Sequence, residues 1–219
     1  MSNNHSWDIN TGGRPTVQII RDYYRTRLAE RQRKHVEIIS LFERVGWSKD
    51  LRDELDSNCN ILHLQPEEFI NDLQSIRHAP GFLVVAGRYI YVTPEIIAQV
   101  AFDEAWSRWG QNDPDSFLEA IPQVMLTSFL ARVSRSASEE VRTLIGEFFL
   151  RWILGLSSAN LADIETTHCV IALVETDTNV YLPILHRMIM DGAPEQLKSI
   201  SGQGGSGWGP RRHLVWFAE

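Results

Sequence analysis

The sequence predicts a mainly α protein: a winged-helix-like module with one β-hairpin, followed by an all-α helical domain of faintly repeat-like spacing. Three observations carry this. The stretch 80–95, "PGFLVVAGRYIYVTPE", sets two short Val/Ile/Leu/Tyr runs either side of Ala86-Gly87, a hairpin signature in which Gly87 supplies the positive φ of a tight turn. Three short apolar-periodic segments precede it within about sixty residues, the helix–helix–helix–hairpin order of a winged helix. From residue 113 onward every periodic segment has the helical period.

Taken in order, residues 1–14 are polar and Gly-bearing and read as a flexible N-terminal segment. Val17, Ile20, Tyr24 and Leu28 stand at helical spacing and predict one helix over 15–35. Ile38, Ile39, Leu41, Phe42 and Val45 form the next apolar face, with Gly46 as its C-terminal stop. Ser48 reads as the N-cap of a helix carrying Leu51, Leu55, Cys59 and Leu62. Pro66, followed by Glu67 and Glu68, opens a third helix with Phe69, Ile70, Leu73 and Ile76 inward, and Pro80-Gly81 ends it. After the hairpin, Thr93 reads as an N-cap and Pro94 as the first residue of a long helix bearing Val100, Ala101, Trp106 and Trp109. This module spans 15–110.

Asp113-Pro114 is a turn and a cap, and it marks the boundary to a helical domain over 113–219. Helices are expected over 114–134, broken near Pro122, over 138–154, from an Asn160 cap to 174, and from Thr178 or Asn179 to 190 with an interruption at Pro183. A short helix over 194–200, a Gly-rich loop "SGQGGSGWGP" and a last apolar helix "PRRHLVWFAE" complete the chain. An apolar helix at the terminus predicts that the natural chain continues.

Composition narrows the function classes. A formal net charge of −7 argues against a dedicated nucleic-acid binder. The two cysteines, Cys59 and Cys169, lie in apolar helical patterns and read as buried free thiols rather than a disulfide or zinc framework. The N-terminus has no signal-peptide pattern, and the most apolar run, "FFLRWILGL", is interrupted by Arg151. The expectation is a soluble, cytoplasmic protein with no membrane partner.

No enzyme motif stands out. The Gly-rich loop lacks the Lys-Ser or Lys-Thr of a phosphate loop, no HExxH or GxSxG is present, and His168 and Cys169 are neighbours that a helix turns about 100° apart. No residue is therefore expected to serve catalysis, a cofactor or a metal. Charge is the stronger clue. Arg14, Arg21, Arg25, Arg27, Arg31, Arg33 and Lys34 face only Asp22 and Glu30 in the first helix. The following stretch to Pro94 is acidic, and its third helix, "PEEFINDLQSI", has no basic residue to meet base edges. Candidate interaction residues are Arg21, Arg25, Arg31, Arg88 at the wing tip, and Trp208 in the Gly-rich loop as a docking anchor. A protein partner, or the adjacent domains of a larger chain, fits these better than nucleic acid. The alternative is a winged-helix nucleic-acid binder in which the basic first helix and Arg88 make one positive face. The basic helix has a third use: neutralising the acidic module inside the same molecule.

"IISLFERVGW", "PGFLVVAGRYIYVTPEIIAQ" and "AFDEAWSRW" together resemble the winged-helix segment of large bacterial STAND-type signalling ATPases, relatives of the AAA+ ATPases. The tail "YLPILHRMI…GPRRHLVWFAE" is similar to the opening of the helical-repeat array that follows it in such proteins. The nucleotide-binding motifs of that family lie upstream of this segment and are absent here, so no catalytic residue carries over. The resemblance implies a fragment, or a relative without the motor, that couples nucleotide state to sensing parts and whose winged helix packs on protein.

Overall fold

The computed structural model describes residues 16–191. The N-terminal segment, the helices expected after Asp191, the Gly-rich loop and Trp208 lie outside the described residues. Ten α-helices and a three-stranded antiparallel sheet make up the rest, so the chain is mainly α with a small β element.

The basic segment expected as one helix is two: α1 (Thr16–Arg27) and α2 (Glu30–Ser40). Between Leu28 and Val36 the sequence "AERQRKH" offers no large aliphatic residue to continue the buried stripe, and the chain turns at Ala29. The turn is tied from both sides. The Ala29 N–H donates to Gln32 Oε1 (3.1 Å), and Arg33 donates to the Arg25 and Leu28 carbonyls at the end of α1. The chain then leaves α2 at Leu41, and Val45–Gly46 forms a strand, β1, where a helix stop was expected. After a 3-10 turn (Lys49–Leu51) come α3 (Arg52–Ile61) and α4 (Pro66–His78), the latter opened by Pro66 as expected.

The hairpin is β2 (Leu83–Ala86) and β3 (Tyr89–Val92), joined by Gly87-Arg88 with Gly87 at φ +60°. The two-residue loop thus lies one position later than the Ala86-Gly87 pair, since Ala86 pairs with Tyr89. β1 adds to the free side of β3 in the register Val45↔Ile90 and Gly46↔Tyr89, giving the order β1-β3-β2. Gly46 is required there: a Cβ would come within 2.5 Å of Leu51 Cβ, and its N–H donates to Glu54 Oε2 at 2.8 Å. Pro94, not Thr93, takes the N-cap position of α5 (Glu95–Ala105), which runs into a π-helical turn (Trp106–Gly110).

In the second half Asp113 accepts the Ser116 N–H and opens α6 (Pro114–Glu119); a 3-10 turn (Gln123–Met125) after Pro122 leads into α7 (Leu126–Ser136). Ser138 caps α8 (Glu139–Leu154). Asn160 lies inside a 3-10 turn (Ser158–Ala162), and Asp163 caps α9 (Ile164–Thr176) in its place. Asp177 caps α10 (Thr178–Met190), through which Pro183 passes without a break.

One hydrophobic cluster runs from Tyr24 to Met188 without a gap at Asp113. Phe42 of α2's exit packs on Phe129 of α7 with ring centroids 6.1 Å apart. Arg132 of α7, buried, donates to the Phe42 carbonyl (3.3 Å) and to Glu95 (2.6 Å), while the Glu43 N–H donates to the Ser128 carbonyl (3.2 Å). Among the described residues no helix is long and apolar enough to cross a membrane.

Candidate interaction surfaces

Arg21 and Arg25 lie one turn apart on α1 and so share a face, which the buried Tyr24 and Leu28 hold against α5. Two consecutive acids of α5 meet them. Arg21 Nη2 is 3.3 Å from Asp103 Oδ2 and its Nε 3.2 Å from Glu104 Oε1; Arg25 Nη2 reaches both Glu104 oxygens at 2.9 Å. The π turn extends the cluster by one more pair: Arg108 Nε contacts Oε2 of the fully buried Glu37 at 3.0 Å and Arg108 Nη1 lies 3.7 Å from Glu30. Burial pushes the Glu37 and Asp103 carboxyls above their usual range, with Arg108 and Arg21 respectively pulling them back down. The side chains enclose a polar cleft of about 340 Å³ between α1 and the end of α5.

Arg31, at the start of α2, forms a two-pronged pair with Asp72 of α4, both contacts 2.8 Å. His35, one turn further along α2, points its Nδ1 at the same Asp72 Oδ2 from 3.2 Å, but out of line for a hydrogen bond; neither of its ring nitrogens has one. The ring is fully buried, edge-on to Phe69. Burial lowers its pKa, Asp72 opposes that, and Arg31 adds to it. At the hairpin turn, Arg88 donates to both oxygens of Asp50 (2.9 and 2.7 Å), which holds that carboxyl below its usual range. Arg44 stacks over the Tyr89 ring at 4.5 Å, and Trp47 Nε1 donates to the Gly87 carbonyl.

All four described candidate arginines thus pair with carboxylates of the same chain. Arg21 and Arg25 go to α5, Arg31 goes to α4, and Arg88 goes to the turn before α3, so they are not gathered into one cluster. On α4 the outward residues are Glu67, Glu68, Asn71, Gln74 and Ser75, and the helix runs on past the expected stretch to expose Arg77 and His78, so it does carry basic residues at its end. The acids that receive α1 sit about eighty residues away in the chain. The sequence signalled them only as the pair Asp103-Glu104 facing a surplus of arginine elsewhere.

Sequence reasoning did not find the cleft of about 540 Å³ between α7, α8, α9 and α10. Leu130, Val133, Ile145, Phe149 and Leu173 give it an apolar floor, and Glu139, Glu147 and Asp177 stand at its rim. Both cysteines are buried free thiols, as expected, with burial raising Cys59 to about 12 and Cys169 to about 11. Among the described residues no group of three or more His, Cys, Asp or Glu side chains is placed to hold a metal ion. Comparison with protein-family models, with curated proteins and with solved structures found no match for this chain.

Proposed function

We propose that this chain is a non-enzymatic regulatory or protein-interaction module, built as a winged helix followed by a helical domain, of the kind found in bacterial STAND-type signalling ATPases. The observation that carries the reading is the internal neutralisation of its basic residues. Arg25 on Glu104, Arg31 on Asp72 and Arg88 on Asp50 already have carboxylate partners. A phosphate would have to displace a carboxylate at each, which removes much of the counterion-release gain that drives nucleic-acid binding. The order α2-β1-α3-α4-β2-β3 supports the winged-helix assignment. An α4 whose first turn presents Glu67 and Glu68 suits a protein surface better than a DNA groove.

Fluorescence anisotropy with a labelled duplex, protein titrated into the micromolar range at low salt, tests this. The expected result is no binding. Binding that falls steeply as salt rises, and that Arg25→Ala with Arg88→Ala weakens, would overturn the reading in favour of a nucleic-acid binder.

A further inference from the structure

The cleft between α7, α8, α9 and α10 has a floor that the fold leaves unfilled. Gly146 lies in the middle of α8, where glycine weakens a helix, yet a Cβ at that position would meet nothing within 4 Å. Beside it the Tyr181 hydroxyl donates to the Gly146 carbonyl (3.2 Å) and fixes the α10 wall. Val180, 41% exposed, forms an apolar lip, and the volume of about 540 Å³ lies in the range of sites that bury a ligand. The rim is acidic. Glu139, Glu147 and Asp177 stand there against a single base, Arg142, whose guanidinium is turned to the Ser134 and Ala137 carbonyls at the end of α7.

We propose that this cleft receives the chain's own segment 211–217, with Leu214, Val215, Trp216 and Phe217 on the apolar floor and Arg211 and Arg212 against the acidic rim. Two arginines, then His213, then four apolar residues match in chemistry an apolar floor edged by carboxylates. Reach is sufficient. The cleft lies at the start of α10, about 20 Å along the helix from its end. A chain of about 20 residues, the length between Asp191 and Arg211, can reach up to about 65 Å.

Hydrogen–deuterium exchange of the full chain at two protein concentrations tests this. The amides of 214–217 are expected to exchange at least tenfold more slowly than in the urea-unfolded chain, equally at both concentrations. Gly146→Leu, which fills the floor, should restore fast exchange there while α9 and α10 keep their protection. Val180→Glu, at the lip, gives the same reading if the glycine replacement disturbs α8. Unfolded-like exchange in the wild-type chain, or protection that survives both substitutions, would overturn the proposal. Protection that grows with concentration would overturn it too, by assigning the cleft to a second copy.

Discussion

His35 has both ring nitrogens shut away from water, and its neighbour Asp72 is already held by two contacts to Arg31. Protonating the ring would place a second positive charge beside Arg31 in a site that cannot solvate it, and Asp72 only partly offsets this. Glu68 of α4 adds a weaker attraction, and Phe69 contributes only an apolar face. The sign of the pH effect follows. With the folded pKa below the ordinary 6.5, the unfolded chain takes up the proton first as pH falls. The stability that neutral His35 contributes is complete above 6.5 and is lost progressively below it. Urea denaturation at pH 7.5 and 5.5 should show wild type losing more stability on acidification than His35→Gln, and equal losses would refute the assignment. None of this was visible in the sequence, where His35 ends a run of charged residues and looks like surface. Its burial follows from the chain turning at Ala29 into a separate α2, whose buried face begins at His35.

At the scale of elements, the helices were legible because each combines a 3.6-residue apolar stripe with a chemical stop or start. Pro66, Asp113 and Ser138 open helices where their chemistry says they should. Two elements were not legible. β1 is two residues long and owes its existence to pairing with Ile90 and Tyr89, more than forty residues on, so no local pattern announces it. The π turn Trp106–Gly110 continues the apolar pattern of α5 and reads as ordinary helix, yet the Gln111 N–H reaches the Trp106 carbonyl, five residues back, at 2.8 Å. Within that turn Trp106 packs into the core against Phe117 and Arg108 pairs with Glu37. Gly110 makes it feasible, since a Cβ there would lie 2.7 Å from the Trp106 ring. Gly110→Ala should destabilise the protein by about 1–3 kcal/mol, as overpacking does. A urea midpoint unchanged from wild type would contradict this.

For the molecule as a whole, the Asp113-Pro114 turn marks a boundary in the sequence, and packing carries the core straight across it. Phe129, fully buried in α7, touches Phe42 from the other half, and Arg132 beside it is anchored on the Phe42 carbonyl. Phe129→Ala should therefore cost about 3–5 kcal/mol and lower the stability of both halves together. Fluorescence and far-ultraviolet circular dichroism, followed through the same denaturant series, should give one coincident transition; two separated ones would show independent halves. The exposed residues 111–113 link the two halves along the chain, while cohesion comes from the Phe42, Phe129 and Arg132 contacts. A protease cut in that loop would thus leave two fragments with matching faces. They should stay together as a non-covalent pair and reassemble after separation, a split protein whose seam is already in place.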